Sequence, residues 1–347
     1  MRAEPLAGAV GIAGLLLLAL AALPSAPVVK LPAAARASAR PAFPPAPAAR
    51  PLRVSAHGGV PAVLALDQEI ARLGRAPARV EPLRRAFLDA GNLAQFALER
   101  LPRALEGDGA SQYFIYLALD QCRSYLRSDF DGASANHERM LSLPDLTGEE
   151  RIAWQSEYER CRGFALQDWS ALGDALGADR PGAEVEHASV WFERAVLSGY
   201  APALVEQALR LGPFGVEERR AMLREGLAGG GADAYWLLFA HSGEVQAGEV
   251  TVPALAWLIV ACRAGQDCGE GARWYRAFAC MEEARRCTAG HSALEYYWYA
   301  ATPQQRDLAW TQANEIEADL ATAQWDHLPW PDLESRDSQR LWANSGP

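Results

Sequence analysis

The sequence predicts an all-α chain of stacked antiparallel helical hairpins, preceded by an N-terminal membrane segment. Three observations predict it. From about residue 63 onward, apolar residues recur at helical rather than alternating spacing. One block within that region returns after a fixed interval. Before it, residues 6–23 form an apolar run without a charge.

The N-terminal run comes first. Leu6 to Leu23 is built from Leu, Ala, Gly, Val and Ile behind a short head bearing Arg2. At about 1.5 Å per residue it reaches roughly 27 Å, enough for a bilayer core. Two fates are open to residues 1–23: an uncleaved signal-anchor or a cleaved signal peptide. The cleavage chemistry is poor, because Pro24 and Pro27 flank Ser25-Ala26 and the small-x-small run Ala37-Ser38-Ala39 lies far downstream. Lys30, Arg36, Arg40, Arg50 and Arg53 follow the span, which by the positive-inside rule would leave the main domain in the cytoplasm. The even set of six cysteines points the other way, to an oxidising periplasm. The expected location is a bacterial inner membrane with the main domain in the periplasm, with release to the periplasm after cleavage as the alternative.

Residues 24–62 are dominated by Pro, Ala and Arg and read as an extended spacer. The next stretch, residues 63–182, reads as an N-terminal helical region. Phe114, Ala118, Cys122 and Tyr125 make one helix stripe, and Trp154, Tyr158, Cys161 and Ala165 make another. Thr147-Gly-Glu-Glu150 has the form of a helix start, and glycines at 91, 199, 212, 265 and 290 have the form of helix ends.

Residues 183–327 read as a repeat region with a capping helix. Ala188-x-x-Trp191-Phe192-x-x-Ala195-x-x-x-Gly199 returns 66 residues later as Ala254-x-x-Trp257-Leu258-x-x-Ala261-x-x-x-Gly265. Halfway lie Ala221, Ala228 and Ala232, with Arg224 in place of the Trp and Gly229-Gly230-Gly231 as a turn. Over roughly residues 183–285 this pattern resembles the Sel-one-like branch of the tetratricopeptide repeat superfamily. The resemblance implies helix-turn-helix repeats forming a curved solenoid that binds other proteins. Gln304 to His327 would cap the array, with Leu308, Ala309, Ile316, Leu320 and Ala323 turned to the core. Residues 328–347 read as an irregular C-terminal tail.

All six cysteines are disulfide candidates. Cys122 and Cys161 lie on apolar helix faces whose helices are joined by a segment of about twenty residues, so a bridge between antiparallel neighbours is expected, with a stabilisation of about 4 kcal/mol. Cys280 and Cys287 would share a helix face roughly 10 Å apart, too far to join directly. Pairing across to Cys262 and Cys268 is therefore expected, with the connectivity open. The spacing of these four fits no recognised zinc pattern.

A formal net charge of −10 argues against a nucleic-acid partner. The arginine excess (Lys30 is the only lysine) reflects genome composition. No P-loop, dinucleotide fingerprint, nucleophile elbow or HExxH pattern is present, so no catalytic residue, cofactor or metal site is assigned. His57 lies in the spacer, and His137, His187, His241, His291 and His327 read as exposed or capping residues. Adjacent acids such as Glu217-Glu218 read as solvated helix starts. Tyr296-Tyr297-Trp298-Tyr299 is the interface candidate. Successive helical residues turn by about 100°, so four aromatics in a row cannot all face inward. The expected function is non-enzymatic: a membrane-anchored helical protein that binds a protein or peptide partner. A cell-envelope hydrolase with carboxylates assembled over long range is the rival.

Overall fold

The computed structural model describes residues 60–75, 81–122, 141–142, 148–166, 184–210, 215–242, 250–269, 272, 292–331 and 333. The apolar run 6–23, the spacer as far as residue 59, Tyr125, Thr147, His57, His137, His291, Cys280 and Cys287 lie outside them. Among the described residues there is no strand, and no helix is long and apolar enough to cross a membrane.

The helices are α1 (Val60–Arg75), α2 (Pro82–Asp89), α3 (Leu93–Leu105), α4 (Gly109–Gln121), α5 (Gly148–Cys161) and the single turn α6 (Gly163–Leu166). They continue as α7 (Glu184–Leu197), α8 (Ala201–Leu209), α9 (Val216–Ala228), α10 (Ala232–His241) and α11 (Val252–Arg263). Last come α12 (Ala293–Ala300), α13 (Pro303–Thr322) and a 3-10 turn (Trp325–His327).

A shared turn chemistry punctuates the chain. After α3, α7 and α11 the chain reverses at Gly107, Gly199 and Gly265, with φ of 95°, 75° and 109°. Side chains rarely adopt that region, so glycine is the residue that ends these helices at low cost. The same two backbone bonds close each turn. Gly107, Gly199 and Gly265 donate to the carbonyls of Ala104, Val196 and Cys262 at 3.0–3.1 Å. Asp108, Tyr200 and Gln266 then donate to Arg103, Ala195 and Ala261 at 3.0, 3.2 and 2.9 Å. The α3–α4 turn was not distinguished in the sequence, because α3 places Glu99 and Arg100 where α7 has Trp191 and Phe192.

The stretch expected to be the middle repeat has a different register from the expected one. Ala221 and Ala228 are exposed, whereas Arg219, Leu223, Gly226 and Leu227 are buried. The residue equivalent to Gly199 is Gly230, with φ 69° and a bond from its N–H to the Leu227 carbonyl at 2.9 Å. Counted from that turn, the copy reads Arg219-x-x-Met222-Leu223-x-x-Gly226-x-x-x-Gly230. Gly226 occupies the place of Ala195 because a Cβ there would lie 2.7 Å from Val205 Cγ2 and 2.9 Å from the Ala201 carbonyl. The glycine turns are therefore unevenly spaced.

In each step the second helix of one pair packs against the first helix of the next: α4 on α7, α8 on α9, α10 on α11. Two apolar cores result. One joins α2 to α7, with Phe87, Leu93, Phe96, Phe114, Trp191 and Phe192 inside. The other joins α1 with α8 to α13, around Leu238, Trp257, Trp298 and Ile316. Helix α8 divides them: Ala203 faces the first, while Val205, Ala208 and Leu209 face the second.

Two further expectations are corrected. Cys122 and Cys161 are bonded, with Cα atoms 5.3 Å apart, but α4 and α5 are not side-by-side antiparallel neighbours. Both cysteines stand at helix C-termini, and α4 spends its length against α3 and α7, so the bond joins two helix ends. The capping helix α13 ends at Thr322, where Ala323 takes a left-handed φ of 56°. Its buried stripe is Ala309, Trp310, Ala313 and Ile316, with Leu320 half-buried. Leu308 lies off that stripe and is 58% exposed. Beyond the 3-10 turn that follows α13 the described residues have no regular structure and pack against the helices. Leu328 and Leu333 are buried, the Pro329 carbonyl accepts from Trp257 Nε1 at 3.1 Å, and the Leu333 carbonyl accepts from Arg219 at 2.8 Å.

Candidate functional site

The aromatic run sits on α12. Ser292 caps the helix, accepting from the Glu295 N–H at 3.1 Å while Glu295 accepts from the Ser292 N–H at 3.0 Å. This box sets the rotation of a helix with only eight residues. Tyr297 and Trp298 then point inward and are buried. Tyr297 meets Phe239 edge-on with ring centres 5.1 Å apart, and Tyr296 is half-buried against Tyr297 at the same distance. Tyr299 is the member that faces outward, at 45% exposure.

Arg306 from α13 organises the end of α12. It donates to the carbonyls of Trp298, Ala301 and Tyr299 at 2.8, 3.0 and 3.2 Å, which are helix-end acceptors that need partners. Its guanidinium also lies over the Tyr299 ring, 5.1 Å from the centre. Across from it, Asp67 of α1 accepts from Trp298 Nε1 at 2.6 Å and lies 3.8 Å from Arg306. Partial burial, with Asp67 and Glu295 nearby, raises the Tyr299 phenol above its ordinary value, so it stays neutral. The arrangement offers a neutral aromatic, a stacked cation and a carboxylate, which is a recognition chemistry.

A second polar group is buried between α4 and α8. Glu206 accepts from the phenols of Tyr113 and Tyr116 at 2.7 and 2.5 Å. Arg210 pairs with Glu206 at 2.5 Å, bonds Tyr116, and stacks 4.0 Å from the Phe192 ring centre. Burial and the neighbouring carboxylate push both phenols well up, so they remain donors. His241 of α10 is held down to about 4 by burial and then by the Arg210 charge. It is a half-buried imidazole in the last turn of α10 rather than an exposed one. The sequence reading missed this group because its members are about ninety positions apart. The available signal was a carboxylate within the otherwise apolar Ala201-Pro-Ala-Leu-Val-Glu-Gln-Ala-Leu209.

At the rim of this group, Asp233 pairs with Arg84. Glu81 is raised above the usual carboxylate range, first by desolvation and then by Asp233 and Asp108. Away from both groups, Gln312, Glu315, Ile316, Ala318, Asp319, His327 and Pro329 line an open depression of about 340 Å³. His327 is mostly exposed, with Nδ1 3.7 Å from Asp319.

Cys262 and Cys268 are bonded to each other, with Cα atoms 5.7 Å apart, rather than to Cys280 or Cys287. The reversal at Gly265 folds the chain back over the end of α11, which six residues of extended backbone could not do. Among the described residues no group of three or more His, Cys, Asp or Glu is placed to hold a metal ion. No protein-family model, curated protein or solved structure matches the chain.

Proposed function

We propose that the chain is a non-enzymatic helical-repeat protein of the Sel-one-like type that holds a protein or peptide partner. In this reading residues 6–23 anchor it in a bacterial inner membrane, and the helical region lies in the periplasm. One observation carries the binding reading: Tyr299 is held outward by the Ser292 box and stacked under Arg306. Tyrosine and arginine are the side chains that most often dominate protein interfaces. The two disulfides, at helix ends in both halves of the chain, support an oxidising compartment. The recurring glycine turn supports a hairpin array.

A photo-crosslinking residue at position 299 tests the binding reading in intact membranes. It is expected to trap a discrete partner that the same residue at exposed Glu315 does not trap; equal labelling at both positions would end the reading. For topology, a phosphatase reporter that folds only under oxidising conditions is expected to be active when fused after Trp330. The rival hydrolase rests on the raised carboxyl of Glu81 beside Asp233 and Asp108. Cleavage of cell-wall polymer by the purified chain, lost in Glu81→Gln, would move the assignment there.

A further inference from the structure

Helix α1 is out of sequence order. Its neighbours along the chain are α2 and α3, yet it packs on α12 and touches α11, which lie much later in the chain. Its mode of contact is that of a helical ligand in a groove. Leu66, Ile70 and Leu73, at i, i+4 and i+7, face the second core, with Leu66 and Ile70 fully covered. Asp67, one position past the first anchor, takes the Trp298 indole N–H at 2.6 Å and faces Arg306 at 3.8 Å. At the far end Gly74 lets the helix approach closely, because a Cβ there would lie 2.2 Å from Ser292 Oγ. The outer face carries Glu69 and Arg72, paired with each other and not with the groove.

We propose that α1 is an internal stand-in for the partner, and that the groove of Trp298, Arg306, Ser292 and Leu294 is the partner site. The proposal rests on the peptide-binding reading and gives it a ligand class: an amphipathic helix with apolar anchors at i, i+4 and i+7 and a carboxylate at i+1. The indole N–H and the guanidinium select that carboxylate, and the apolar floor selects the anchors. Release of α1 exposes the groove, so the helix beyond the Pro-rich spacer regulates access. Tethering gives α1 an effective concentration on the order of millimolar, so it excludes a free helix of equal affinity.

The test uses the full chain and a labelled peptide of residues 60–75. Ile70→Glu places a charge in the apolar floor and weakens the internal helix. This variant is expected to bind the peptide with a Kd on the order of 10 µM, at least a hundredfold tighter than the unmodified chain. Adding Arg306→Ala is expected to weaken peptide binding about tenfold; an unchanged Kd would overturn the carboxylate assignment. Loss of all folded signal in Ile70→Glu would make α1 an integral part of the core and overturn the proposal. So would a folded variant that ignores the peptide. In the unmodified chain, α1 amides are expected to exchange at least a hundredfold faster than those of α11. Equal protection would overturn the proposal, as would a dimer formed by exchange of α1 between copies. The crosslinking experiment at position 299 tests the broader reading separately.

Discussion

Helices α7 and α11 carry the same motif and end in the same glycine turn, yet they are buried differently. Among the described side chains of α7 the covered ones are Ala188, Trp191, Phe192 and Ala195, a single face. In α11 every residue from Ala254 to Cys262 is covered. The motif accounts for the shared face: two small residues and two large ones at 3.6-residue spacing seat each helix on the preceding pair. The rest follows from the neighbours. Helix α7 lies between α4 and α8, whereas α11 is enclosed by α10, α13, α12 and α1. A repeat motif therefore specifies contact with one neighbour and is silent about how many others arrive.

The sharpest way to break this comparison is to remove the tryptophans. Both are fully buried, but Trp257 Nε1 donates to the Pro329 carbonyl while Trp191 Nε1 has no partner among the described residues. Trp257→Ala is expected to cost about 5 kcal/mol and Trp191→Ala about 4 kcal/mol in denaturant unfolding. Phenylalanine separates the causes: Trp257→Phe should exceed Trp191→Phe by about 1 kcal/mol, the lost hydrogen bond. Equal costs would mean that the docked segment after α13 adds nothing.

The two disulfides give the next largest contrast. Cys122 and Cys161 are 39 residues apart and Cys262 and Cys268 only 6. Loop-closure entropy then makes the first bond worth about 4 kcal/mol and the second about 2 kcal/mol. Removing each pair as a double serine variant, with chemical unfolding as the readout, should reproduce that order. A peptide linking Cys122 or Cys161 to a downstream cysteine in non-reducing mass mapping would contradict the two-core packing.

Acid should act through His241. Its folded value of about 4 lies below the ordinary 6.5, so the unfolded chain takes up a proton first as pH falls. Its contribution is fully present above about pH 6.5 and is lost between there and about 4. The loss is on the order of 3 kcal/mol. His241→Asn should flatten that part of the stability profile; an unaltered profile would place the imidazole in water. The smallest effect concerns the register of the middle repeat. Gly226→Ala should cost about 2 kcal/mol through the clash with Val205 and the Ala201 carbonyl. Ala228→Gly at exposed Ala228 should cost less than about 1 kcal/mol. The reverse order would restore the register centred on Ala221 and Ala228.

Much of the helical layout was legible because helix formation is local. Gly199 and Gly265 marked real reversals, and the stripe Phe114, Ala118, Cys122 marked a real buried face. The spacing of the turns and stripes is not constant, and that is where the structure departs from the sequence pattern. Alanines at an even interval drew the middle copy to Ala221, although the turn at Gly230 places it differently. Leu308 is apolar, which points it inward, yet the stripe of α13 runs through Ala309, Ala313 and Ile316. In the candidate site, the need for one outward aromatic was legible from the angle between successive residues. Which one it would be depended on the Ser292 box and on where α1 lay.

By itself the sequence determined the helices, the glycine reversals and one apolar face for most helices. These depend on residues within one or two turns of each other, where backbone sterics and 3.6-residue spacing decide. Only the tertiary structure decided that Glu206 meets Tyr113 and Tyr116, that Cys262 closes on Cys268, and that α1 seats on α12. Those contacts depend on which surfaces win the competition for burial and for polar partners. That competition is settled by the whole set of neighbours at once, since an apolar face or a carboxylate carries no address for its distant partner.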